Sequence, residues 1–176
     1  KVLISVIALL VSTAYAGNND IYITQTGTGL TLTIDQIGAT NVVGTSQTRA
    51  VLSGTSMTVD IDQIGSSNAI VASILQGNSS SWTYSNTGSS ATATFAVGAT
   101  GDVANSDFDY TASGGDSNVL VWTQGAAATA TGGNQDFIIS GASNNINATC
   151  EVVGCINNWD ITGNSSDIDT TQTGSA

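Results

Sequence analysis

The sequence predicts an all-β protein, a β-solenoid of stacked strand-turn-strand rungs of about 22 residues, preceded by an apolar N-terminal segment. Three observations predict it. Short runs alternate strictly between apolar and polar residues, as strands do because successive side chains leave opposite faces. A glutamine and a glycine recur at the same place in those runs: Ile21-x-Ile23-x-Gln25-x-Gly27, Leu32-x-Ile34-x-Gln36-x-Gly38 and Val59-x-Ile61-x-Gln63-x-Gly65. Finally, the chain has 20 glycines for its turns and no proline, whose missing N–H would interrupt a strand ladder.

The first sixteen residues, "KVLISVIALLVSTAYA", stand apart. One positive charge, a short apolar stretch and the small-any-small triplet Ala14-Tyr15-Ala16 predict a secretory signal peptide over 1–16, cleaved after Ala16. The stretch is short for a membrane span, so no membrane association is expected after cleavage. Residues 17–176 form the repeat domain, regular over 19–78 and degenerate over 79–176.

Looser copies follow the first three. Trp82-x-Tyr84-x-Asn86-x-Gly88 exchanges one amide for another, and Phe108-x-Tyr110-x-Ala112-x-Gly114 loses it. Leu120-x-Trp122-x-Gln124 has its glycine one place early, at Gly125, and Ile168-x-Thr170-x-Gln172-x-Gly174 comes last. Gln25, Gln36 and Gln47 fall at equal steps, as do Gln124 and Gln135, so one strand and its turn form half a rung. About seven such rungs would give a rod about 34 Å long at the ~4.8 Å strand spacing. A sandwich of hairpins accounts for strands and turns, but not for the recurring amide.

A buried amide without partners costs about 1–3 kcal/mol. If the same amide recurs in register on neighbouring rungs, each N–H can donate to the next carbonyl, and the cost is offset. The expected ladder residues are Gln25, Gln36, Gln47, Gln63, Gln124 and Gln172, with Asn41 and Asn68 at the turns.

Composition narrows the function. Thirteen acids face two bases, and there is no histidine. Such a chain cannot neutralise a run of phosphates, which argues against nucleic acid as a partner. It also lacks the commonest general base and metal ligand, so neither catalysis nor a metal or other cofactor is expected. The pairs Asp60/Asp62, Asp107/Asp109 and Asp167/Asp169 suggest calcium or glycosidase chemistry, but are read as solvated charge. Trp82, Trp122 and Trp159 are in phase with the apolar positions and are read as core rather than as sugar platforms. Thr31/Thr33 and Thr92/Thr94 suggest an ice-binding array, but do not recur at a fixed place. Export would let Cys150 and Cys155 close a small disulfide loop across four intervening residues.

These repeats resemble the curlin repeat of bacterial curli, an extracellular functional amyloid. The family pattern of Gln, four residues, Asn, five residues, Gln is matched in full at Gln36, Asn41 and Gln47, and in its first half at Gln63 and Asn68. The family's opening Ser is replaced by Leu30 and Met57, and Gln25 is followed by Leu30 where Asn belongs. Past residue 78 only alternation and glycines persist. The resemblance implies a secreted protein that polymerises with itself by strand addition into adhesive or biofilm-matrix fibres, with a nucleating or export protein as helper. A virion or tail-associated solenoid adhesin is the alternative reading.

Overall fold

A computed structural model describes residues 18–45, 47–98, 103–124, 134–151 and 157–173. The proposed signal segment 1–16, Gly125, Cys155 and Gly174 lie outside the described residues. Among the described residues eleven strands form one sheet wound about an axis: β1 (Asn18–Ile21), β2 (Thr24–Thr28), β3 (Thr31–Val43), β4 (Ala50–Thr55), β5 (Thr58–Gln76), β6 (Ser81–Gly88), β7 (Ser90–Val97), β8 (Asp107–Gln124), β9 (Gln135–Cys150), β10 (Asn157–Thr162) and β11 (Ser165–Gln172). Every pairing among them is parallel, joining residues one rung apart. Hairpins pair antiparallel, so the sandwich is excluded. The chain is a β-solenoid of about five turns with rungs about 26 residues apart, longer and fewer than the 22-residue spacing predicts.

Each rung has two legs. The first legs run over 31–38, 58–65, 81–88, 107–113, 135–141 and 157–162. The second legs include 40–43, 67–76, 90–97, 117–124, 143–150 and 165–172. β1 and β2 form an initial second leg, paired with β3 and β4 respectively. The degenerate half joins the same stack, because the pairing continues unbroken from β5 through β9 to β11.

Glycine makes the corner between legs. Gly65 lies beside Gly38, and a Cβ on Gly65 would sit 1.8 Å from the Gly38 carbonyl oxygen. At Gly88 a Cβ would meet the Gly65 oxygen at 1.9 Å. The requirement is steric rather than conformational, because the rungs touch backbone to backbone where the chain turns.

Inside, the core changes character along the axis. The column Ile34, Ile61, Tyr84, Tyr110, Phe137, Trp159 passes from aliphatic to aromatic. Tyr84 and Tyr110 stack at 5.2 Å, and Phe137 and Trp159 at 4.1 Å. Trp82 and Trp122 are buried, whereas Trp159 is half-buried at the last rung.

Candidate functional site

The polar interior and the two ends are the features from which a function can be built. Gln36 and Gln63 form the expected ladder: they pair in register, both buried, and Gln63 Nε2 donates to Gln36 Oε1 at 2.7 Å. Gln36 Nε2 in turn donates to the Asn19 carbonyl at 2.8 Å. The run stops after two rungs, because Asn86 is the next residue in this column and Ala112 and Ile139 follow.

The other glutamines do not join it. Gln25 is buried, but in a second leg, beside Leu52. The equal steps from Gln25 to Gln36 carry the chain from one leg to the next, half a rung, so the two never share a column. Gln47 corrects the expectation: it lies exposed between β3 and β4. Gln124 is buried between Val97 and Cys150, and Gln172 pairs with Cys150.

The more persistent ladder is made by asparagine. Asn19 Nδ2 donates to Asn41 Oδ1 at 3.0 Å, and Asn41 Nδ2 to Asn68 Oδ1 at 3.1 Å. Asn118 Nδ2 donates to Asn144 Oδ1 at 3.0 Å, and Asn144 Nδ2 reaches Ser166 Oγ at 3.3 Å. Each also helps tie the corner: Asn41 Nδ2 contacts the Ile64 carbonyl at 3.0 Å and Asn118 Nδ2 the Ser140 carbonyl at 3.1 Å. At Ala91 the column lacks an amide, and Asn86 substitutes by accepting from Asn68 at 3.2 Å. A sequence signal marks this ladder: "GATN", "GSSN", "GSSA", "GDSN", "GASN" and "GNSS", opening at Gly38, Gly65, Gly88, Gly115, Gly141 and Gly163.

Outside, charge is partitioned between the legs. The first legs carry Asp35, Asp60, Asp62, Asp107, Asp109, Asp136 and Asp160; the second legs over 67–76, 90–97, 117–124 and 143–150 carry no charged residue, and those at the two ends carry Asp20, Asp167 and Asp169. Asp35 pairs with Asp62, and Asp109 with Asp136. Burial, then Asp62 and Asp35, push the Asp60 carboxyl above its usual range, and burial with Asp136 and Asp107 does the same for Asp109. A shallow groove of about 540 Å³ crosses this face at Thr83, Asp109, Asp136, Asn158 and Asp160. Its Asp136 accepts from Asn134 Nδ2 and Asn158 Nδ2, each at 2.7 Å. Among the described residues no three His, Cys, Asp or Glu side chains converge as a metal site. Thr94 stands between Val71 and Val121, and Thr33 beside Asp60, so neither pair continues as a threonine column. Cys150 is disulfide-bonded.

Among the described residues, the strands at the two ends are paired on one side only. Among the described residues β10 and β11 pair only with β9, β1 only with β3, and β2 only with β4. Ile168, on β11, is 47% exposed although it occupies the inward column. At the other end Ile21 and Ile23 are only partly buried against the core.

No family model, curated protein or solved structure matches this chain.

Proposed function

We propose that the protein is a structural subunit, secreted and without catalysis, that adds to copies of itself end to end to form an extracellular fibre of the curlin kind. The observation that carries this reading is the match between the terminal strands. Following the register from rung to rung places Asn19, Ile21, Ile23 and Gln25 in the columns that end at Ser166, Ile168, Thr170 and Gln172.

The last second leg of one copy can therefore meet the first second leg of the next in the register used inside the molecule. Ile21 would cover Ile168, Asn19 would continue the amide column from Ser166, and Gln25 would follow Gln172. Monomeric solenoids block such edges with caps or charge; an exposed isoleucine in the inward column of a strand that, among the described residues, pairs on one side only favours addition instead.

The test is fibre growth by the purified protein, followed by amyloid-dye fluorescence and electron microscopy. Ile168→Lys places a charge in the junction, and is expected to abolish elongation while leaving the β-sheet circular dichroism unchanged. Growth of Ile168→Lys at the unmodified rate, or an unmodified protein that stays unassembled at every concentration and salt, would refute the reading.

A further inference from the structure

We propose that each end-to-end junction leaves the first-leg stack one strand short, and that the open slot takes an extended segment of a different protein, apolar on its inward side and basic on its outward side. This inference rests on the end-to-end reading, and names a partner for that same junction.

Among the described residues the second legs number seven and the first legs six, because the coil opens with a second leg, β1 and β2, and closes with another, β11. When β11 of one copy meets β1 and β2 of the next at one strand spacing, β10 and the 31–38 leg of β3 stand two spacings apart, about 9.6 Å. One strand fits between them. Both legs are paired on one side only among the described residues, so an added strand finds backbone donors and acceptors above and below. Once the leader is cleaved after Ala16, as proposed, the chain keeps no first leg ahead of β1 to supply that strand.

The columns prescribe the occupant. The first-leg register sets Trp159 of one copy over Ile34 of the next, Ile161 over Gln36 and Asp160 over Asp35, with one strand position between each pair. Phe137 stacks on one face of the Trp159 ring at 4.1 Å, which turns the other face to the slot. Trp159, Ile161 and Leu32 are only partly buried in the single molecule, and apolar side chains in the slot would complete their burial. Outward, the exposed Asp160 and Asp35 would face each other across it, and a Lys or Arg between them attracts both. On the second-leg side the same junction sets Asp167 beside Asp20, so it favours a cationic partner as a whole.

No leg of this chain offers the required residue. The outward column holds Asp35, Asp62, Ser85, Thr111, Ile138 and Asp160, and the two bases, Lys1 and Arg49, lie outside the first legs. The occupant is therefore another polypeptide, bound by strand addition, with affinity from its backbone and selectivity from its alternate side chains.

The experiment sediments fibres of the purified protein with a fluorescent peptide, Val-Thr-Ile-Lys-Val-Thr-Gly, whose Lys falls between Asp160 and Asp35. Uptake is expected to saturate near one peptide per subunit, because every junction has a slot. The same peptide with Glu for Lys should bind about tenfold more weakly. In fibres carrying both Asp35→Lys and Asp160→Lys, which leave the β11 contact untouched, the preference should reverse. Equal binding of the two peptides, or uptake at fibre ends alone, overturns the proposal. Fibres that take up no peptide overturn it and leave end-to-end addition standing, whereas a protein that forms no fibres overturns both.

Discussion

The Tyr84 hydroxyl donates to Gln63 Oε1 at 2.5 Å, and by doing so ends the glutamine ladder that Gln63 begins with Gln36. It also receives Asn86 Nδ2 at 3.2 Å. Tyr84 is thus the seam between a core filled by aliphatic residues and amides and one filled by rings, belonging to both through its hydroxyl and its stacking on Tyr110. Tyr84→Phe keeps the ring but strands both amides, each fully buried. The expected loss is about 1–3 kcal/mol, measured by denaturant unfolding. Burial also raises the Tyr84 and Tyr110 hydroxyls above the usual tyrosine range. In an alkaline ultraviolet titration these two should ionise only as the fold opens.

Gly65 tests the corner. Alanine there would drive its Cβ into the Gly38 oxygen, and backbone cannot move aside as a flexible side chain does. Gly65→Ala should cost about 3 kcal/mol. Gly29 is the control: it has φ +69 but nothing within 4 Å of an added Cβ, so Gly29→Ala meets only the left-handed strain of about 1 kcal/mol. Equal losses at the two sites would show that conformation rather than rung contact sets the glycine requirement.

The all-β solenoid was legible because alternation and recurring glycines are local signals, and every rung repeats them. The glutamine column was only half legible. Equal spacing of Gln25, Gln36 and Gln47 fixes a step along the chain, but not whether that step is a rung or half of one, and the register gives half. Gln36 and Gln63 could be matched because the eight residues "TLTIDQIG" and "TVDIDQIG" surrounding them agree almost throughout. The asparagine ladder was obscured by its unequal steps, 22 residues from Asn19 to Asn41 and 27 from Asn41 to Asn68. A search keyed on Gly-x-x-Asn rather than on a fixed period finds it, because the corner geometry is constant while the loops between rungs vary.

Gln135 marks a departure from the ladder logic. It is buried between Phe108 and Asn157, and its Oε1 has no donor from the protein, as Trp122 Nε1 nearby has no acceptor. Both residues line one small cavity with Gln124. Gln135→Leu removes the unsatisfied acceptor and continues the apolar column of Val59, Trp82 and Phe108. The expected result is a gain of about 1 kcal/mol, visible as a higher midpoint in thermal unfolding. A loss of that size would instead show that Gln135 makes a net favourable contribution through its remaining polar contacts.

Acid should strengthen the fold rather than weaken it. Burial and neighbouring carboxylates raise the Asp60 and Asp109 carboxyls above the ordinary aspartate range, so in the window just above that range the folded chain holds more protons than the unfolded one. Stability then falls as pH rises through the folded-state pKa values, and the penalty is fully present at neutral pH. It is relieved as pH drops towards the unfolded value. The groups facing Asp60 are Asp62 on its own strand and Asp35 on β3, and those facing Asp109 are Asp107 on its own strand and Asp136 on β9; none is a cation. Asp60→Asn should therefore raise the melting temperature at pH 7 by a few degrees, and flatten its dependence on pH between 7 and 4. Salt should mimic part of this effect by screening the carboxylates from each other. An Asp60→Asn protein less stable than its parent at pH 7 would mean that the carboxylate is held by a favourable partner, and that like-charge repulsion does not govern the acidic face.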